Sequence, residues 1–197
     1  SIPKQLSFSK TAAYLHITTN ETIAGTQWHH LPYDCGVPLV ADMSSDILSR
    51  TLNFNKFDLI YAGAQKNMGA AGVNLVVINK NCLGKAERVI PTVLDYQNHI
   101  NEKSMLNTPP VFAVYVAMLT LRWLKEQGGV SAIESINQQK ADLLYSTLET
   151  IPFINLPVAK EDRSLMNVVF TMKDEALEKE FLQYAKDAGM YGVKGHR

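Results

Sequence analysis

The chain has little sulfur chemistry, no net charge and no long apolar run, and each absence narrows what it does. Two cysteines, Cys35 and Cys82, stand far apart among 197 residues and in no metal-ligand spacing. That argues against a disulfide scaffold and predicts a reducing compartment. Nineteen basic and nineteen acidic side chains balance to a formal charge of zero, with no basic stripe. No nucleic-acid partner is expected, although a small anionic substrate stays compatible with local charge. No stretch reaches the roughly 18 apolar residues of a membrane span, so no membrane partner is expected. The first ten residues, SIPKQLSFSK, have no apolar core of the kind a signal peptide needs. The expectation is a soluble, cytoplasmic protein, in which the sequon Asn20-Glu21-Thr22 is a chance match. The pair His29-His30 has no further ligand nearby and reads as loop.

What is present is a core-forming chain, 46% hydrophobic. Residues 14–19 (YLHITT), 38–43 (PLVADM), 59–64 (LIYAGA) and 74–79 (NLVVIN) are strand-length runs, apolar through their centres. That pattern predicts strands covered on both faces, as in an α/β sheet. The loop between the last two is too short for a crossover helix, which predicts an antiparallel pair. The second half reads as helical. Thr108-Pro109-Pro110 opens a helix over 111–127 that Gly128-Gly129 closes. It is apolar nearly all round until Arg122 and is expected to be largely buried. A longer amphipathic helix follows over 130–150, then a strand over 166–172. A charged helix over 174–188 ends on Gly189, and 190–193 reads as a last strand. A domain boundary is placed near Gly128-Gly129, dividing 1–128 from 129–197.

Two residues stand out chemically. Lys66 closes an apolar strand among small residues, in FDLIYAGAQKNMGAAG. Such a lysine, desolvated and closely approached by something flat, suits a Schiff-base enzyme; a solvated turn lysine is the plainer alternative. Asp42 follows LVA, where a bare carboxylate is costly to desolvate. It reads either as a cap or as a carboxylate aimed at a protonated heterocycle, the arrangement that keeps a pyridoxal phosphate ring an electron sink. Ligands in open α/β sheets sit beyond the carboxyl ends of strands, where both residues fall. The Walker pattern fails around Lys66, so the loop is not of the NTPase kind. Asn107 and Thr108 stand just before a proline-opened helix, a place for a phosphate or for plain capping. The end, Lys194-Gly195-His196-Arg197, suits a phosphate or carboxylate, or is simply a basic tail.

Several blocks together are more specific. NETIAGTQW (20–28), VADMSSDILSR (40–50), YAGAQKNMGAAG (61–72), LNTPPVFAVY (106–115), INQQKADLLY (136–145), RSLMNVVF (163–170) and GMYGVKGHR (189–197) closely resemble the phosphoserine aminotransferase family. The match runs end to end and in order. The resemblance implies a fold-type-I, class V enzyme: a mostly parallel α/β large domain plus part of a smaller α+β C-terminal domain. It implies pyridoxal 5'-phosphate as cofactor and a homodimer with shared active sites. Lys66 matches the Schiff-base lysine and Asp42 the partner of the pyridinium nitrogen. Thr22 and Gln65 match residues contacting the cofactor. Asn107 and Thr108 match the pair reaching the cofactor phosphate of the neighbouring subunit. His196 and Arg197 match the pair holding the substrate phosphate. The implied reaction passes an amino group between glutamate and 3-phosphohydroxypyruvate, giving 2-oxoglutarate and O-phosphoserine, a step of serine biosynthesis. Bacterial members also act in vitamin B6 synthesis.

Family members are longer than this chain. The resemblance puts the family's N-terminal portion, with a phosphate loop, a ring-stacking aromatic and a substrate arginine, outside these residues. The C-terminal arginine that clamps the substrate carboxylate also lies outside them. Two other readings use the same scaffold: a class V desulfurase or lyase, and an inactive fragment or non-catalytic dimerisation remnant. The NTPP and KGHR blocks, suited to phosphorylated groups, weigh against the first, and the intact Asp42, Lys66 and His196-Arg197 set against the second.

Overall fold

A computed structural model of the chain describes residues 1–9 and 11–195. Its strands are β1 (Leu15–Thr18), β2 (Asn20–Glu21), β3 (Thr26–Gln27), β4 (Leu39–Asp42), β5 (Leu59–Gly63), β6 (Asn74–Ile78), β7 (Ile154–Asn155) and β8 (Thr171–Met172). Its α-helices are α1 (Tyr96–Asn101), α2 (Val111–Glu126), α3 (Gly129–Glu149) and α4 (Glu175–Asp187). Two compact units arise, one from Gln5–Thr19 and His30–Glu134, the other from Ser1–Lys4, Asn20–His29 and Ser135 onward.

The first unit holds a four-stranded sheet in the order β1-β4-β5-β6. β1, β4 and β5 run parallel, and β6 pairs antiparallel with β5, from Leu59 opposite Ile78 to Gly63 opposite Asn74. The expected antiparallel pair is therefore present. The expectation of cover on both faces is not met. Ile17, Leu39, Ala41, Ile60 and Ala62 are buried on one face. On the other, His16 and Thr18 are exposed, and Val40, Asp42, Leu59 and Tyr61 are only half-buried. An apolar run shows that both faces can be buried; what lies on each is decided by other elements.

The same lesson holds for α2, which starts and stops where expected but is not buried. Only Ala113 and Ala117 are buried along it. Val111, Phe112, Tyr115, Leu119 and Trp123 are exposed. Its small residues face the loop after β5: a Cβ added to Gly69 would lie 2.9 Å from the Ala117 backbone nitrogen. Close approach needs small residues, so the large ones of α2 point elsewhere.

The second unit is built round a short hairpin. β2 and β3 pair antiparallel, and the segment 163–169 docks on them. Ser164 donates its backbone N–H to the Gly25 carbonyl at 2.9 Å. The Leu165 amide donates to Gln27 Oε1 at 3.0 Å. Asn20, 1% exposed, donates to Asn167 Oδ1 at 2.8 Å and also binds the Ser164 hydroxyl. The sequon asparagine is thus a buried tie between segments. Gly25 has φ +72° and faces Val169 so closely that a side chain there would collide with it. Tyr145 donates to the Ser164 carbonyl at 2.9 Å and lies under the Arg163 guanidinium, 4.9 Å from the ring centroid. The strand expected over 166–172 reduces to β8, Thr171–Met172, paired with β7. Residues 190–193 are not a strand. β-structure needs a ladder partner, and side-chain pattern alone does not supply one. α4 ends as expected: Asp174 caps the Ala176 amide at 2.8 Å, and Gly189 has φ +80°.

Asp162, 2% exposed, is tied to Lys4 Nζ at 2.5 Å and the Ile2 amide at 2.9 Å. Burial pushes its carboxyl up, but the Lys4 and Ile2 hydrogen bonds outweigh it and hold the group below its ordinary 3.8. The unfolded chain then binds the proton more readily, so this contribution is present above that ordinary value and lost as pH falls through the lower folded value. Asp162→Asn is expected to cost about 1 kcal/mol at neutral pH. The gap to the parent protein should close in acid, as read from urea midpoints measured down through that range. A gap that does not change with pH would show that the charge contributes nothing.

Candidate active site

Asp42 ends β4 and Lys66 follows β5, the parallel strand beside it. Two side-chain bonds lace the turns that carry them. Ser44 Oγ accepts from the Gly63 amide at 3.1 Å, and Asn67 Nδ2 donates to the Ile47 carbonyl at 2.7 Å. The Lys66 loop is itself closed by backbone bonds from Ala64 to Val73 and from Met68 and Gly69 back to Ala64. Asp42 and Lys66 thus come from one braced end of the sheet, beyond the carboxyl ends of β4 and β5.

The cap reading of Asp42 has a counterpart in the structure. Its Oδ1 accepts from the Ser44 amide at 2.8 Å, closing the turn. The carboxylate also stands on the open face of the sheet, opposite Tyr61 on β5. Burial and then the Asp42 carboxylate push the Tyr61 phenol up, so its proton is held more firmly than in free tyrosine. Lys66 is exposed, contrary to the expectation of a desolvated amine. The small residues near it serve the approach of α2: Gly69 abuts Ala117, and a Cβ on Gly72 would lie 3.5 Å from Ala113. Gln65, also exposed, folds its amide back over Gly63.

Asn107 and Thr108 are exposed and lie just before α2, the helix packed on the Lys66 loop. Asn107 Nδ2 donates to the Thr108 carbonyl at 3.2 Å. Pro110 at the N-cap makes no side-chain cap bond to the first turn of α2. Thr22 belongs to the other unit, in the turn between β2 and β3. There it lines a cleft with Val169, Phe170, Phe181, Val193 and Gly195. His196 and Arg197 lie outside the described residues.

Sequence reasoning passed over the support beneath Asp42. Asp46, 1% exposed, pairs with Arg50 at 3.3 Å and accepts from Thr19 Oγ1 at 2.5 Å. Thr19 also donates its amide to the Asp42 carbonyl at 3.0 Å. This buried cluster pins the end of β4. The acid and base four residues apart in DMSSDILSR were its signal. Neither cysteine suits a desulfurase nucleophile. Cys35 is buried against the Val37 carbonyl, and burial and Asp58 push the Cys82 thiol up, whereas a reactive cysteine needs an accessible thiolate.

The donor set fits pyridoxal phosphate. A carboxylate on an open sheet face suits a protonated ring nitrogen, an accessible amine suits an aldehyde, and an uncapped helix start beside amide and hydroxyl groups suits a phosphate.

Comparison with known proteins agrees. The chain is 52% identical over 189 residues to the phosphoserine aminotransferase of Bacillus subtilis (strain 168), covering 95% of this chain and 52% of that one. A solved phosphoserine aminotransferase, studied for radiation damage of its Schiff base, superposes with TM-score 0.94 at 46% identity, over 100% of this chain and 55% of that one. The phosphoserine aminotransferase of Trichomonas vaginalis, solved with PLP bound, superposes with TM-score 0.90 at 34% identity, over 96% of this chain and 54% of that one. The chain thus spans about half the length of the relatives it matches, and its mostly parallel sheet with flanking helices is the fold-type-I arrangement of those structures. The class-V aminotransferase model matches residues 3–196, and the chain belongs to the class-V aminotransferase family.

Proposed function

We propose that the protein carrying this chain is a pyridoxal-phosphate-dependent phosphoserine aminotransferase. It passes the amino group of L-glutamate to 3-phosphohydroxypyruvate, giving 2-oxoglutarate and O-phospho-L-serine for serine biosynthesis in the cytoplasm. The observation that carries this reading is the bracing of Asp42 and Lys66 at one end of neighbouring parallel strands. The likeness to phosphoserine aminotransferases over 95–100% of the chain supports the substrate pair. Residues 1–128 are assigned to the large domain and 129–197 to the small one.

When bound, pyridoxal phosphate supplies an aldehyde that stores the amino group and a ring that accepts the electrons of the Cα–H bond. Lys66 Nζ holds the cofactor covalently at rest. Once free of the cofactor, Lys66 Nζ would take the proton from the glutamate Cα and, in the second half of the reaction, deliver one to the Cα of the new amino acid. Asp42 keeps the ring nitrogen protonated. Thr22 and Gln65 contact the cofactor, Asn107 and Thr108 bind a cofactor phosphate, and His196 and Arg197 take the substrate phosphate. A second copy of the chain completes each site. The apolar residues that α2 exposes directly after Asn107–Thr108 support that partner.

The test is amino transfer from glutamate to 3-phosphohydroxypyruvate by the whole protein, followed as 2-oxoglutarate formed. Borohydride reduction and peptide mass mapping accompany it. Transfer, with the cofactor fixed on Lys66, is expected. Sulfur release from cysteine without transfer, or an adduct on another lysine, would overturn the assignment.

A further inference from the structure

Lys66 sits near the apex of a single turn whose ends are fixed by backbone bonds. Met68 and Gly69 donate to the Ala64 carbonyl at 3.0 and 2.8 Å. Fixed ends do not fix an apex, and the flexible stem of a lysine magnifies any movement at its root. The next residue supplies a sideways tie. Asn67 is half-buried, and its Nδ2 donates to the Ile47 carbonyl at 2.7 Å. Consecutive Cα atoms are about 3.8 Å apart, so whatever holds Asn67 also holds the root of the Lys66 side chain.

The acceptor is itself held. Ile47 is fully buried and donates its amide to the Met43 carbonyl at 2.8 Å. Just beyond it, Ser49 Oγ donates to the Asp46 carbonyl at 2.7 Å. The Ile47 carbonyl belongs to the peptide unit that enters Leu48, and Leu48 has φ +60°. A bulky side chain rarely adopts that conformation, and such strain persists only where the surrounding structure holds it. The strained angle turns the same peptide unit whose carbonyl Asn67 meets.

We propose that Asn67 is a positioning residue for Lys66, anchored on the Ile47 carbonyl that the left-handed turn at Leu48 presents. The proposal rests on the reading of Lys66 as the residue that holds the cofactor. In that step the neutral amine gives its electron pair to the aldehyde carbon, and the aldehyde oxygen leaves as water with both amine protons. The rate of such a step depends on how much of the time the reacting atoms are held close and aligned. Asn67 therefore acts on how fast the cofactor becomes attached, and not on contacts to its ring or phosphate.

The test is the rate of covalent attachment, followed by absorbance after pyridoxal phosphate is mixed with the whole protein stripped of cofactor. The dissociation constant of pyridoxal phosphate in a Lys66→Ala background accompanies it, since no bond forms there. The variants are Asn67→Ala, Leu48→Val and their double mutant. Asn67→Ala is expected to slow attachment about tenfold and to leave the dissociation constant in the Lys66→Ala background unchanged. A β-branched valine resists a positive φ, so Leu48→Val should slow attachment by a similar factor. The double mutant should be no slower than the slower single variant, because both changes act through one bond. A lowered urea midpoint for Asn67→Ala with attachment at the parent rate means a purely structural role and overturns the proposal. So does a weakened dissociation constant in the Lys66→Ala background, which would make Asn67 a cofactor contact, and so does a double mutant whose losses multiply. If the parent protein itself shows no borohydride-fixed adduct on Lys66, the assignment of Lys66 fails and the proposal falls with it. A parent adduct beside an unslowed Asn67→Ala removes the proposal alone.

Discussion

Lys66→Ala is expected to abolish amino transfer while leaving the protein folded. In the proposed mechanism the amine does two things: it holds the cofactor covalently and moves the Cα proton. Losing a positioned general base costs about a hundredfold to ten-thousandfold, and losing the covalent attachment adds to this. Turnover should therefore fall by at least roughly ten-thousandfold. Stability should hardly change, because Lys66 is exposed and its removal opens no cavity. The check is single- and multiple-turnover kinetics beside an intact mass after borohydride. The variant should keep pyridoxal phosphate only non-covalently and show no fixed adduct. Sustained multiple turnover would remove Lys66 from the mechanism.

Gly69→Ala should be the most damaging small substitution in the loop. The residue has φ +152°, and a Cβ there would lie 2.9 Å from the Ala117 nitrogen and 3.0 Å from its Cα. Those atoms belong to the backbone of α2, which cannot rotate aside as a side chain can. Overpacking and backbone strain together should cost about 3 kcal/mol. The loop can escape only by moving away from α2 and carrying Lys66 with it. A displacement of about 1 Å at a reacting group costs on the order of a hundredfold in rate. Gly36→Ala is the control: its φ is +74°, but nothing lies within 4 Å of the added carbon. Thermal unfolding of both variants separates strain from collision. If Gly69→Ala is no worse than Gly36→Ala, the packing of α2 on the loop does not constrain it.

Local features were readable in the sequence wherever short-range chemistry decides them. The four sheet strands lie where apolar runs end in turns. The brief link between 64 and 74 allowed only an antiparallel neighbour. Asp174 and Gly189 bracket α4 through a cap and a positive φ, both properties of single residues. Asp42 and Lys66 were legible as candidates because a carboxylate or an amine closing an apolar strand is costly unless something meets it.

Other features depend on which surfaces meet, and no local pattern encodes that. α2 is apolar nearly all round, yet its two alanines are what the loop after β5 packs against, and its aromatic residues stay exposed. The open sheet face was invisible because an apolar strand reads the same whether one face is covered or two. Tyr61 and His16 are separated by 45 residues and are brought together only by the order β1-β4-β5. The buried Asp46–Arg50 pair has ordinary i,i+4 spacing, and only the fold sets Thr19 beside it. The sequence by itself determined the four sheet strands, the ends of α2 and α4 and two candidate groups, Asp42 and Lys66, because those follow from bonds and side chains close in the chain. Only the tertiary structure decided which faces are covered and what braces Asp42, because burial and long-range hydrogen bonds need partners that chain neighbours cannot supply.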